Sequence, residues 1–345
     1  MLTAASDASA ASFDARQARR GMRIEREQRK ALLPSPSLAG RVRDLASESG
    51  ASLVVIDPAF PLGMMGPSLG LAYAVVLHGA EVTVPGHLPA ARQALGHVLS
   101  HARLVVSAGS YPEHQARRVA GRRMPASVVI PPGVDTRRFV PLDPDAKAPA
   151  RTALGLPAEG PLVVSVSRLV PRKGMDVLIR AAASLLPSFP DLTVAIGGEG
   201  RDMARLERLV EAARAPVRFL GSVQHELLPV LYGAGDVFAM ACRDRWLGLE
   251  QEGFGIVFLE AASCGVPQVA GLSGGSADAV VDGVTGFVVK DPTDAGELAH
   301  CLRKLLSDGS LRRQMGEASR RRVEESFAYD PLARRLAAAL HDAGG

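Results

Sequence analysis

The sequence predicts two doubly wound α/β domains in tandem. Three observations carry that expectation. The chain has 345 residues, about twice the usual length of one domain. Short apolar, β-branched runs alternate with segments of helix length, the pattern of parallel strands covered by helices. A stretch rich in Pro, Asp and Gly at 141–160 then separates one such alternation from a second. With 47% hydrophobic and 22% charged residues, the chain can bury a core, which excludes a disordered, collagen-like or small disulfide-framed protein.

Taken in order, residues 1–35 mix small, polar and Arg residues up to Pro34-Ser35-Pro36 and read as a mobile or loosely helical arm. Strands are expected at 53–56, 73–77, 104–107 and 128–130, with a helix at 88–101. After the Pro-rich segment, strands are expected at 162–166, 192–196, 217–220, 237–241, 268–270 and 287–289. Helices fall between them at 174–186, 201–214, 226–232 and 256–263, the last closed by Gly265. Residues 293–342 read as helices broken near Asp308-Gly309 and Asp330-Pro331. Tandem open sheets of this kind bind ligands outside the C-terminal ends of their strands.

Charge narrows the function classes. The 40 basic residues are 35 Arg and 5 Lys against 36 acids, a net charge of +4. Most bases are matched by acids, so a nucleic-acid surface is not expected. The excess is local: residues 1–43 hold nine bases and four acids, and the remainder sums to −1. Cys242, Cys264 and Cys301 have neither disulfide-framework nor zinc-ligand spacing. There is no apolar run of 18 residues and no apolar N-terminal leader, so the expectation is a cytoplasmic protein.

The most informative stretch runs from Glu252 through Gly253, Phe254, Gly255 and Ile256 to Glu260. Two glutamates at this spacing are common by chance. Two glycines at the first turn of a helix are not, because they let backbone N–H groups approach a ligand. One carboxylate can accept from sugar hydroxyls and the other from ribose hydroxyls. Arg168, Arg172, Lys173 and Gly174 follow a strand and precede a helix, a place suited to a pyrophosphate. Gly197-Gly198-Glu199-Gly200 stands one unit later, and Gly274-Gly275-Ser276 follows the strand at 268–270. His78, with Gly79 and Glu81, closes a strand of the first half, where a lone histidine is as readily structural as functional. Trp246, the only tryptophan, lies with Arg243 and Arg245 just before Glu252.

Together these residues resemble the retaining family 4 glycosyltransferases of the GT-B fold. The likeness covers nearly all of 31–345 and is strongest over 161–289. Within that family, Cys242-Arg243, Arg245, Gly248, the Glu252–Glu260 stretch, Pro132-Gly133-Val134-Asp135 and Ser167-Arg168 through Gly174 look like the mannosyltransferases that use GDP-mannose on a phosphatidylinositol mannoside. The resemblance implies metal-independent transfer of a hexose with retention, the nucleotide sugar being substrate and no cofactor being needed. Arg168 and Lys173 would hold the diphosphate, and Glu252 the donor sugar with the amides of Phe254 and Gly255. Glu260 would bind the ribose, His78 would face the reacting sugar, and Val223 would lie near the base. Gly198, Gly253 and Ile256 would join the donor site, and Glu81, Arg243, Arg245 and Trp246 the acceptor side.

The expected boundaries are a basic arm at 1–35, an acceptor-side domain at 36–157, a nucleotide-sugar domain at 158–328 and a C-terminal helix at 329–345. Family members open with a strand and a Gly-Gly loop that this chain lacks before 53, so its first domain is expected to be thin, with four or five strands. The family's Gly-Gly-x-Pro-Glu also becomes Gly274-Gly275-Ser276-Ala277-Asp278 here. A second reading stays open, a non-catalytic nucleotide-sugar-binding remnant; a third, a nucleotide-sugar epimerase of similar two-domain shape, is disfavoured by the match at Glu252–Glu260. A lipid-linked or glycan acceptor and an anionic membrane surface complete the expected partners.

Overall fold

The computed structural model describes residues 1–4, 10–29 and 31–345. The chain divides into two compact units. The first comprises Met1–Ser107, Pro112–Val129 and Ala337–Gly345, and the second comprises Ala108–Tyr111 and Ile130–Leu336.

The first unit opens with β1 (Leu2–Thr3), α1 (Ala10–Ala18) and β2 (Glu25–Arg26), the two strands pairing in parallel. Part of the expected mobile arm is therefore regular structure. Its arginines explain why: Arg26 holds Asp14 in a two-point ion pair, and Arg23 reaches Glu25 and Glu48. Residues 5–9 and 30 of that arm lie outside the described residues. Helix α2 (Pro36–Ser49) begins where the arm was expected to end in Pro34-Ser35-Pro36. Ser35 Oγ accepts from the Leu38 N–H, and Pro36 stands at the first turn, where its missing N–H costs nothing.

Strands β3 (Val54–Ile56), β4 (Tyr73–Leu77), β5 (Leu104–Ser107) and β6 (Ala126–Val129) form a parallel sheet in simple sequential order. It carries one wing of a winding, without the reversal expected from the sequence. Helices α3 (Ala80–Gly86), α4 (Pro89–His101) and α5 (Ser110–Ala120) lie between its later strands. Leu77, Leu95, Leu99, Val75 and Val105 are fully buried in its core.

The second unit begins before the boundary expected at 158. Helix α6 (Pro144–Ala153) occupies the supposed linker, capped by Asp143, whose side chain accepts from the Asp145 N–H. Buried Arg151 fixes α6 in place by donating to the carbonyls of Ala234 and Gly160 and pairing with Asp236.

The large sheet contains β7 (Leu162–Val166), β8 (Thr193–Gly197), β9 (Val217–Gly221), β10 (Val237–Met240), β11 (Gln268–Gly271) and β12 (Gly286–Val289). All are parallel, in the order β9-β8-β7-β10-β11-β12. The chain starts in the middle and reverses direction between β7 and β10, the doubly wound arrangement. Its connecting helices are α7 (Met175–Leu185), α8 (Met203–Ala213), α9 (Leu228–Ala234), α10 (Ile256–Ser263) and the short α11 (Ser276–Ala279). Helices α12 (Ala295–Ser307), α13 (Gly309–Ser326) and α14 (Tyr329–Gly344) follow. A run of aromatic rings, Phe139, Tyr232, Phe238 and Phe258, packs edge to face or tilted at 5.4–6.0 Å through the core. Among the described residues no helix is long and apolar enough to cross a membrane.

Candidate active site

An open α/β sheet places its ligand crevice where the strand order reverses, outside the C-terminal ends of the two central strands. In the second unit those strands are β7 and β10. The segment after β7 carries Arg168, Arg172 and Lys173; the segment after β10 carries Arg243 and Arg245. The two segments touch, because the Arg243 N–H donates to the Arg172 carbonyl at 2.8 Å.

Glu252 meets them. Its Oε2 accepts from Lys173 Nζ at 2.6 Å and from Arg172 at 3.1 Å. Lys173 and Glu252 are both buried, so neither charge is dissipated by water and each is tolerated only because the other is present. Arg168 is exposed, with no ion-pair partner among the described residues. Two cations therefore share one carboxylate while a third points to solvent, leaving a net positive site at the sheet's reversal. The basic motif alone assigns Arg172 no role, because its partnership with Glu252, 80 residues away, leaves no trace in the sequence.

The backbone around Glu252 is fixed from behind. Its N–H donates to Ser273 Oγ at 3.0 Å, and Ser273 Oγ donates to Asp244 at 2.6 Å, an acid that also accepts from Gln251. Gly274 explains why that loop is glycine-rich. It has φ +47°, and a Cβ there would stand 2.1 Å from the Glu252 carbonyl oxygen. Gly198 serves the neighbouring loop likewise: φ is +121° and a Cβ would fall 1.9 Å from the Ser167 carbonyl oxygen. These glycines let loops from successive strands lie directly on one another.

Gly255 caps the N-terminus of α10 in the left-handed region, so the amides at the start of the helix are free of a side-chain cap. Phe254 turns its ring into the core, 5.7 Å from Phe327, while Ile256 is exposed. Glu260, one turn on, is held apart from the basic cluster by Tyr232, whose buried hydroxyl donates to Oε2 at 2.7 Å. Burial pushes the Glu260 carboxyl above its ordinary value, against the opposing pull of the tyrosine hydrogen bond and of His225 and Arg138. Val223 packs beside Gly197 at the end of β8.

The remaining residues are already engaged. Arg243 pairs with buried Asp176 at 3.0 Å. Arg245 pairs with Glu250 at 3.1 Å and lies 4.7 Å from the centre of the Trp246 ring. In the first unit, His78 Nε2 meets Asp57 Oδ1 at 2.9 Å, and that hydrogen bond raises its pKa. Glu81 accepts from the N–H groups of His78 and Gly79, so its carboxylate caps α3. Sequence reasoning missed Asp176, Asp244 and Ser273, whose importance lies wholly in contacts across the fold.

The family profile described as "Glycosyl transferases group 1" matches residues 147–322. A relative from Mycolicibacterium smegmatis, a GDP-mannose-dependent alpha-(1-6)-phosphatidylinositol monomannoside mannosyltransferase, is 39% identical over 96% of this chain and 87% of its own length. The chain belongs to the group 1 glycosyltransferases. A Corynebacterium glutamicum enzyme, a GDP-mannose-dependent monoacylated alpha-(1-6)-phosphatidylinositol monomannoside mannosyltransferase, is 35% identical over 91% of this chain and 82% of its own. Among solved structures, Anabaena HepE in complex with UDP superposes with a TM-score of 0.81 at 22% identity, covering 99% of this glycosyltransferase and 92% of HepE. Sucrose-phosphate synthase from Thermosynechococcus elongatus gives 0.75 at 25% identity, over 92% and 82%. The fold is GT-B and the protein is a hexosyltransferase. Similarity to enzymes over nearly the whole chain gives the non-catalytic reading no support.

Proposed function

We propose that this glycosyltransferase moves mannose from GDP-mannose, with retention and without a metal, onto a phosphatidylinositol mannoside or similar lipid-linked acceptor at a membrane surface. The relatives' activities support the donor and acceptor. The observation that carries the chemistry is the convergence of Lys173 and Arg172 on Glu252 at the reversal of the large sheet.

Breaking the sugar–diphosphate bond leaves negative charge on the departing diphosphate, and fixed cations in a partly dry site stabilise that charge as it develops. Lys173 and Arg168 take this part. Glu252 then turns to the donor's hydroxyls, and the amides after Gly253 hold the same ring. Glu260 accepts from the ribose, with Tyr232 fixing its carboxylate, and Val223 and Gly198 line the nucleoside. His78 serves the reacting sugar, and Arg243 and Arg245 serve the acceptor.

The test is transfer from GDP-mannose, GDP-glucose and UDP-glucose to a deacylated phosphatidylinositol mannoside, with the new linkage read by NMR. Product from GDP-mannose alone, with an α linkage, is expected. Faster transfer from UDP-glucose would overturn the donor, and a β product would overturn retention.

A further inference from the structure

Among the described residues, Trp246 is the most exposed large apolar side chain of the second unit. It is 61% exposed although it belongs to a turn next to a buried catalytic cluster. Its backbone is in the left-handed region, φ 52°, where glycine is the ordinary occupant. A bulky residue persists in such a conformation when the surrounding structure over-determines it, which concentrates at functional sites.

That determination is visible. Arg245 and Glu250 close the turn with reciprocal backbone hydrogen bonds of 2.9 and 3.2 Å, reinforced by their own ion pair. Glu250 then faces Arg172 at 3.7 Å, and Arg172 bonds to Glu252 at 3.1 Å. The Arg245 guanidinium lies over the indole, 4.7 Å from the ring centre, so the ring is supported from one side. A continuous set of contacts thus runs from Glu252 through Arg172, Glu250 and Arg245 to the indole.

We infer that Trp246 is a stacking platform for a hexopyranosyl ring of the acceptor. This rests on the proposed mannosyl transfer. An aromatic face carries partial negative charge and attracts the C–H groups of a pyranose much as it attracts a cation. The supported ring is a rigid plate, which suits a flat ligand better than insertion among acyl chains. The donor sugar is the weaker candidate, because it belongs to buried Glu252 and the amides of α10, whereas Trp246 is the outer end of the contact set.

The molecule supplies its own reporter, since Trp246 is its sole tryptophan. Under selective tryptophan excitation, the full chain is titrated with deacylated phosphatidylinositol monomannoside, with GDP, and with phosphatidylcholine–phosphatidylinositol vesicles lacking mannose. A saturable emission change with the mannosylated headgroup, and none with GDP, is expected. No change with the headgroup, an equal change with GDP, or a change with vesicles alone would each overturn the platform. In transfer assays, Trp246→Ala should raise the acceptor KM about tenfold and leave the GDP-mannose KM where it was, while Trp246→Phe restores most of the loss. A response to the headgroup without any mannose transfer would sink the proposed function and keep the platform. Transfer without a response would do the reverse.

Discussion

Glu252 Oε2 is the single oxygen on which Lys173 at 2.6 Å and Arg172 at 3.1 Å both converge. Glu252→Gln keeps the shape and removes the charge, stranding two cations, of which Lys173 is buried. It should lower stability by about 2 kcal/mol as well as impair transfer. Lys173→Ala leaves Glu252 paired with Arg172, so it should cost less stability and about a hundredfold or more in kcat. Denaturant melts and initial rates on the two variants check this: equal kcat in Lys173→Ala and wild type would make the pair purely structural.

Gly274→Ala should be harmful without touching any charged group. The added Cβ meets the Glu252 carbonyl at 2.1 Å on a backbone of φ +47°, so the loop must shift and carry the Glu252 backbone with it. A stability loss of about 2 kcal/mol and reduced transfer are expected. Thermal melts and rates that match wild type would show that the two loops separate freely.

The His78–Asp57 contact gives a pH dependence. The hydrogen bond to Asp57 is the first cause raising the His78 pKa above 6.5, opposed by burial and aided by the charges of Asp57 and Glu81. The folded state therefore favours the imidazolium. Its stabilisation is complete below the unfolded value, about 6.5, and is lost as pH rises through the folded value. Asp57→Asn should lower the His78 pKa measured by NMR, and should cost stability at pH 5.5 but not at pH 9. Because both groups are about half exposed, the effect is small. A titration unchanged by the substitution would remove the contact's significance.

The basic arm is less free than its composition suggests, because Arg23, Arg26 and Arg41 are paired with Glu25, Glu48 and Asp14. Arg16, Arg19 and Arg20 are exposed on or just after α1, near exposed Phe13 and Met22 in sequence. If the arm meets anionic lipid, replacing these three with Glu should weaken binding to phosphatidylinositol vesicles by roughly 3 kcal/mol or more, about 1 kcal/mol per lost charge. Unchanged co-sedimentation would leave the arm as a solvated face.

The strands at Tyr73–Leu77, Leu104–Ser107 and Leu162–Val166 were legible because each is a short, largely apolar run built around two adjacent valines. Helix α10 was legible because Gly255 and Gly265 bracket it. Prolines misled the reading elsewhere. Pro36 and Pro144 mark helix starts, each beside a capping Ser35 or Asp143, yet in composition they resemble an arm and a linker. Within the site, the sequence pointed to Lys173 and Glu252 by local motif. It was silent on Ser273, Asp244 and Asp176, because a hydrogen bond closed across 29 residues, as between Ser273 and Asp244, has no local periodicity to betray it.

If Lys173 binds the donor's diphosphate as proposed, a carboxylate already paired with two cations makes the site a competitor for its own ligand. An incoming anion would then compete with Glu252 for Lys173, so inorganic phosphate, with no sugar to offer the carboxylate, would bind at a disadvantage. A nucleotide sugar would give Glu252 hydroxyls in exchange. After transfer that compensation would be gone, and Glu252 would compete again for Lys173 and Arg172 against the spent diphosphate. The same ion pair would thereby also hasten release of the spent diphosphate, a step that limits turnover in many enzymes.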